Sequence, residues 1–424
     1  MQKESARLVG VRIFQVLVII AWIFFAVLGL QGIAERLWHG HHAANYGSYV
    51  VWGLWVSAYI YFIGLSAGAF LLSSLIYVFD FKQLENLGRL SLFVAIVTLF
   101  MALLSIWFDL GRMDRFYNVF LYPNFTSMMA WMVWLYTIYT IIMILELWFS
   151  LRPDLARMQS VGGIKGMIAR ALAFSRGPLS PEQEERCLHY LRILAITGVP
   201  LAITFHGGVG ALFSTLAARP FWHTPLMPIL FLTGALVSGG ALMTFIVAAF
   251  WKNGDAEYRE MLTLLGKVVL GLLIFDVVLE WAEYSIPMWY GVGHEVDLLN
   301  KVLFGEFWWV FWIIHLGLGT LVPLLLLVFG GNRPAAVGLA GLLIAVTFMT
   351  VRLNIVIPGL IVPHVRGLES AYVHPRLVFH YVPSFFEWKV TFFVVAVGMT
   401  LFFLGYWLLP LIPVKDKQNL QAAA

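Results

Sequence analysis

The sequence predicts an all-α integral membrane protein with about ten transmembrane helices, arranged as two four-helix bundles (spans 2–5 and 6–9) plus flanking helices. Three observations predict it. Hydrophobic residues make up 61% of the 424 positions and charged residues only 12%, where a soluble domain carries about 25%. Apolar runs of about twenty residues, long enough to cross the hydrocarbon, recur along the whole chain. The 17 tryptophans and 16 tyrosines suit a protein with two membrane–water interfaces, where amphipathic rings collect. No fold of this length could hide so much apolar surface from water, so lipid must be its solvent.

The spans are expected at 11–30, 50–79, 88–108, 127–149, 190–215, 226–250, 261–283, 305–329, 336–357 and 386–409. The first follows a basic lead, MQKESARLVGVR, and so resembles a signal peptide. Its apolar run is too long for one, and QGIAERLWHG offers no small-x-small cleavage site, which predicts a retained helix. Spans 2 to 5 form a first bundle over 50–215, and spans 6 to 9 a second over 226–357. The ninth span is interrupted by Arg352 and ends at Pro358. The longest connection, 151–189, begins with LRPDLARMQSVGGIKGMIARALAF, which is either a basic amphipathic helix on the inner surface or a solvated linker. Its SPEQEE acids suit a helix N-terminus. The tail DKQNLQAAA reads as disordered, and no soluble domain is visible.

Orientation follows from lysine and arginine. With the N-terminus inside, 18 of the 27 basic residues fall on inner segments, the densest block being 151–189. Nine, among them Arg36, Arg112, Arg115, Arg219 and Arg352, fall on outer or outward-biased ones. Both termini are therefore expected inside. The net charge of +4 is accounted for by this asymmetry and does not call for nucleic acid.

A weak internal repeat supports the two-bundle reading. YFIGLSAGAFLL (61–72) matches LTGALVSGGALM (232–243), pairing Ser66-Ala67-Gly68-Ala69 with Ser238-Gly239-Gly240-Ala241. Small residues let helices approach closely in lipid. The same shift places Asp109 near Glu280, both at the outward end of the following helix.

Ionisable groups at membrane depth carry the chemical information, because each costs roughly 2.5–3.5 kcal/mol at a helix centre. Asp276, Glu280 and Glu283 lie on one face of span 7, which must look into the bundle, a cavity or a partner. Two histidines lie at depth, His206 and His315. One such pair is a poor transmembrane haem wire, and a histidine among small residues more often bonds helix to helix. Glycines after His206 leave space for a flat ligand. The HGHH cluster (His39, His41, His42) lies in an outward loop without a fourth metal ligand nearby. Cys187 is the single cysteine, and one thiol cannot ligate a cluster, so any iron–sulfur chemistry must come from another chain. Between the third and fourth spans, SIWFDLGRMDRFYNVFLYPN sets Asp109, Arg112, Asp114 and Arg115 against apolar helix ends.

WGLWVSAYIYFIGLSAGAFLL (52–72), followed by FDLGRMDRFYNVFLYPNFTSMMAW (108–131), resembles the polysulfide-reductase membrane-subunit (NrfD-like) family. ARPFWHTPLMPILFLTGALVSGG (218–240) and MWYGVGHEVD (288–297) are similar to it as well. The ten-helix length resembles its longer members, found in alternative complex III and related respiratory assemblies. The resemblance implies a quinone (menaquinone or ubiquinone) bound near the outer face of a prokaryotic cytoplasmic (inner) membrane. It implies electron exchange with a ferredoxin-like iron–sulfur subunit, no haem or cluster in this chain, and a further redox subunit of molybdopterin or multihaem type. Such a chain is a membrane subunit of a quinone oxidoreductase complex and is not catalytic alone.

On that reading Tyr59, Asp109, Arg112, Trp131 and His206 line the quinone pocket, and Asp276, Glu280 and Glu283 relay protons. Arg112, one turn beyond Asp109, would hold its carboxylate ionised. Tyr59 falls where some members carry a quinone-contacting histidine, and Met113 where proline is usual. An ion-coupled secondary transporter and a purely structural membrane anchor are the alternatives. Spans 2 and 6 have no proline in their cores, which weakens the first.

Overall fold

The computed structural model describes residues 2–79, 84, 87–251, 256–365, 367–372 and 374–412, with 2–11, 75, 78, 79 and 294 described by backbone only. Of the charges that orient the chain, Lys82, Lys252, Arg366, Lys415 and Lys417 lie outside these residues, as does the tail DKQNLQAAA. Among the described residues all regular structure is helical, with ten helices long and apolar enough to cross a membrane. They are α1 Gln2–His39, α2 Leu54–Phe79, α3 Gly88–Asp109, α4 Met128–Met158 and α5 Pro181–Ser214. Then come α6 Met227–Phe250, α7 Ala256–Tyr290, α8 Val310–Gly330, α9 Pro334–Val356 and α10 Phe385–Leu408. The protein is a multi-pass membrane protein.

Helices α4, α5 and α7 run 31, 34 and 35 residues, so they are about 46–53 Å long and project beyond a ~30 Å hydrocarbon core. Local chemistry sets their starts. Ser180 and Gln183 form a reciprocal capping box with Pro181 in the first turn, so the SPEQEE stretch opens α5. Ser384 and Glu387 do the same for α10. The 151–189 connection is not a free linker. Helix α4 continues through Pro153 to Met158, and a short helix, Gly163–Ala173, follows. Asp154 pairs with Arg89 and Arg157, and Arg157 reaches Glu184, so four charges tie α3, α4 and α5 together. This is the basic end of the molecule. The opposite end carries the segments 40–53, 110–127, 215–226, 291–309 and 357–384 and is called here the long-loop end.

The repeated small-residue motifs meet at the centre. Helices α2 and α6 cross where Gly68 faces Ala235 and Gly239, and a Cβ on Gly68 would run into the Ala235 carbonyl oxygen, well inside contact distance. Backbone blocks that position, so no side chain can move aside. Gly68→Val is therefore expected to destabilise the protein by about 3 kcal/mol or more, an overpacking cost at the upper end of the usual ~1–3 kcal/mol. Thermal unfolding in detergent checks it. A melting temperature within about one degree of wild type, roughly 1 kcal/mol for a chain of 424 residues, contradicts this packing.

Around that crossing, α2 packs on α3 and α5, and α4 packs on α3 and α5. On the other side α6 packs on α7 and α9, and α8 on α7 and α9. The two flanking helices pair with each other: Gly29 and Gly32 of α1 let Phe393 and Lys389 of α10 approach, and Lys389 pairs with Glu35. Helix α10 then packs on α3 through Gly398 against Met101 and Gly405 against Phe93. The flanking helices thus stand together beside α3.

At the long-loop end His41 sits between Tyr46 and Trp55, its Nε2 3.4 Å from the Phe108 carbonyl. Burial first, and then the Arg36 guanidinium, push its pKa down to about 4. A base whose folded pKa is depressed binds fewer protons than in the unfolded chain, so its contribution is full above pH ~6.5 and is lost as pH falls toward 4. Melting temperature measured across that window is expected to fall more steeply for the native chain than for His41→Gln. Parallel curves would exclude the effect.

Candidate functional site

The charged corner after α3 divides into two parts. Helix α3 ends at Asp109, and Leu110 turns to extended backbone (φ −63°, ψ 127°). Arg112, three residues on, has therefore left the helical face that holds Asp109. It does not pair with Asp109, correcting that expectation. Its Nε and Nη2 donate instead to the two Asp114 oxygens at 3.0 and 2.8 Å, and both side chains are over 60% exposed. This pairing holds the Asp114 carboxyl below the usual carboxylate range.

The cation that faces Asp109 is Arg36 from α1. Its Nε and Nη2 donate to the Phe108 and Leu110 carbonyls at 2.9 and 2.7 Å, closing the C-terminus of α3. The Tyr46 hydroxyl is turned toward Asp109 but outside hydrogen-bond geometry, and it and Asp109 Oδ1 are both buried with no hydrogen bond among the described residues. Burial pushes the Tyr46 phenol up. Nearby, Glu387 accepts from the Tyr381 hydroxyl and from the Asn45 backbone, at 2.8 Å for the latter, fastening α10 to the loop before α2.

The structure joins Tyr59 to His206 through two intermediates. The Tyr59 hydroxyl meets the Tyr136 hydroxyl of α4 at 2.5 Å. The Tyr136 ring lies 4.3 Å from Phe205, the neighbour of His206. His206 is fully buried, and its Nε2 donates to the Phe231 carbonyl of α6 at 2.8 Å, leaving Nδ1 without a partner among the described residues. Trp131 is not in this group. It is half exposed, and its indole donates to the Phe125 carbonyl at 2.8 Å, bracing the turn before α4.

The span-7 acids converge with residues from three other helices. Asp276 Oδ1 accepts from Thr233 Oγ1 of α6 at 2.9 Å, and Glu280 Oε2 lies 3.1 Å from His315 Nε2 of α8. His315 sits in a wide π-type stretch, Val310–Leu321, whose extra residue per turn aims it at α7. Arg352 of α9 is 1% exposed. Its guanidinium lies 4.6 and 5.2 Å from the Phe231 and Phe348 ring centres, and Nη2 reaches the Phe231 carbonyl that His206 also uses. Arg352 and Phe348 line, with Asp276, Glu280 and Glu283, a crevice with about 400 Å³ of empty space. About 20 Å³ of it is open to the centre of a water molecule, room for roughly one water. It shares Phe221 with a pocket at the long-loop end, lined by Arg219 and Glu295, and shares Asp276 and Glu280 with a deeper one reaching His315. These three openings form a line from the long-loop end to the buried carboxylates.

Tyr136, Arg352 and the His315–Glu280 contact were not foreseen as site features. A signal existed for the arginine, since a lone guanidinium within the apolar run of span 9 must face an acid or a π-system.

A family model described as "Polysulphide reductase, NrfD" matches residues 42–364. A subunit of the selenate reductase of Mesobacillus selenatarsenatis is 37% identical over 405 residues, covering 93% of this protein and 93% of its own length. The Hdr-like menaquinol oxidoreductase integral membrane subunit of Archaeoglobus fulgidus is 26% identical, covering 93% of this protein and 90% of its own length. A subunit of the polysulfide reductase of Wolinella succinogenes is 23% identical, covering 65% of this protein and 83% of its own length.

Proposed function

Since the chain belongs to the polysulphide reductase, NrfD family and is thereby a membrane subunit of a reductase-type complex, we propose that it binds a quinone and exchanges electrons with an iron–sulfur partner subunit. The names of two relatives, a menaquinol oxidoreductase and a menaquinone reductase, support menaquinone as the quinone. The partner docks at the long-loop end, which faces away from the cytoplasm of a prokaryotic inner membrane, and both termini are cytoplasmic. A further redox subunit of molybdopterin or multihaem type completes the electron path.

One observation carries this reading. Tyr59, Tyr136, His206, Asp276, Glu280 and His315 are buried or partly buried in the half of the helices nearest the long-loop end, and each is tied to another helix rather than left in lipid. Quinone chemistry needs such groups, because a bound quinone supplies two-electron, two-proton exchange. Tyr59 lies about 8 Å below the start of α2, and its hydroxyl can donate to a quinone oxygen when Tyr136 turns away. The unpartnered Nδ1 of His206 and Oδ1 of Asp109 are acceptors suited to a hydroquinone hydroxyl. Arg112 and Trp131, at the exposed rim, fit contact with the partner and the mouth of the site. Asp276, Glu280 and Glu283 pass protons along their crevice toward the long-loop end.

Tyr59→Phe keeps the ring and removes the hydroxyl, and with it the contact to Tyr136. In the intact complex it is expected to raise the KM for a menaquinol analogue about five- to tenfold, the value of one hydrogen bond of ~1–1.4 kcal/mol. An unchanged KM would remove Tyr59 from the site.

A further inference from the structure

The buried face of α4 carries more polar groups than the quinone reading uses. Tyr136, Tyr139, Glu146 and Ser150 recur on that face at helical spacing, with Asp154 one turn further at the basic end. Glu146 is fully buried, and neither of its oxygens has a hydrogen-bond partner among the described residues. The Tyr139 hydroxyl is likewise buried and unpartnered. The fold makes room for the acid. Gly198 of α5 lies opposite, where a Cβ would meet Glu146 Oε1 at 2.9 Å and the Phe70 ring at 2.6 Å. A carboxyl buried without partners opposes stability, since an unsatisfied polar group costs roughly 1–3 kcal/mol and a charged one more. Any apolar residue of similar size would pack there at no such cost, so Glu146 calls for a function.

We propose that this face of α4 is a proton route joining the basic end to the Tyr59–Tyr136 pair, with Glu146 as its carboxyl relay. Along the helix Asp154 lies about 12 Å from Glu146, Glu146 about 10 Å from Tyr139, and Tyr139 one turn from Tyr136. The first two gaps are too long for a direct transfer and short enough for two or three waters. A proton arriving from the Asp154 end is taken up by Glu146 as another is passed toward Tyr139, and the carboxyl returns to its starting state. The direction can reverse with the redox reaction. The route rests on the quinone reading for its destination, while its location rests on Glu146 and Gly198 alone. It differs from the α7 crevice in leading to the opposite membrane face.

The test uses the intact complex in liposomes with a pH-sensitive dye on the side of the basic end. Glu146→Gln is expected to leave quinone-analogue binding within twofold, to slow quinol-linked turnover at least tenfold and to abolish the pH change on that side. Glu146→Asp is expected to restore turnover to within threefold of wild type, which a merely structural role would not predict. Wild-type turnover and pH change in Glu146→Gln overturn the route and leave the quinone reading standing. If the wild-type complex binds no quinone analogue, the quinone reading fails. Passive proton conductance under an imposed potential then decides the route: a decrease in Glu146→Gln supports it, and equal conductance overturns it.

Discussion

Asp276→Asn is expected to lower quinol-linked turnover of the intact complex by about two orders of magnitude, the lower range for loss of a positioned proton-transfer group. The substitution is nearly isosteric. An asparagine oxygen can still accept from Thr233 Oγ1, which in the native chain donates to Asp276 at 2.9 Å, so the α6–α7 contact is kept. What is lost is the ability to carry a proton at the floor of the crevice. Glu280 and His315 remain beside it, in contact at 3.1 Å, but without the carboxyl that follows them in the line. Thr233→Val supplies the control: it removes the hydrogen bond, keeps the acid, and is expected to cost less than tenfold. The measurement is steady-state turnover with a menaquinol analogue, alongside binding of that analogue. Full turnover in Asp276→Asn would mean that these acids serve packing alone.

Arg352→Leu is expected to destabilise the protein by about 3–5 kcal/mol, the cost of removing one partner from a buried set of charges. The guanidinium faces Asp276 and Glu280, and its centre lies 4.6 and 5.2 Å from the Phe231 and Phe348 ring centres. Leucine fills the volume but leaves Asp276 and Glu280 without the guanidinium's charge. Arg352→Lys keeps the charge and loses the planar stacking and the fork of donors, so it is expected to recover more than half of the loss. Thermal unfolding in detergent measures both. The double variant Arg352→Leu, Asp276→Asn is the informative one. It should be more stable than Arg352→Leu alone, because one of the stranded acids is then neutral. Additive losses would show that the arginine and the acid are not coupled.

The helices were legible in the sequence because lipid imposes a length, and ten apolar runs of that length can hardly be read otherwise. The small-residue motifs marked helices able to approach closely, but not that α2 and α6 are each other's partners, which meet at Gly68 and Gly239. The helix ends were less legible. The apolar runs stop at the membrane surface, but α4, α5 and α7 continue past it, where capping and ion pairs such as Asp154 with Arg89 take over from hydrophobicity.

The site was legible only where the period of one helix was enough. Asp276, Glu280 and Glu283 share a face by spacing alone, and they line one crevice. The pairing of Asp109 with Arg112 failed because it assumed that α3 continues past Asp109. A single extended residue, Leu110, sends the arginine to solvent and leaves Asp109 facing Arg36 and Tyr46, 73 and 63 positions earlier. Contacts of that kind depend on which helices become neighbours. The meeting of His206 and Arg352 at the Phe231 carbonyl is another, and no local pattern announces it.

On the proposed function, quinone chemistry takes place within this chain, in the half of the helices nearest the long-loop end. The most direct test is photo-crosslinking of the purified complex with an azido-quinone analogue, followed by mapping of the labelled peptides. Label confined to the stretches around Tyr59, Tyr136 and His206, and displaced by excess menaquinone analogue, is the predicted result. Label found only on partner subunits, with this chain unmodified, would contradict it.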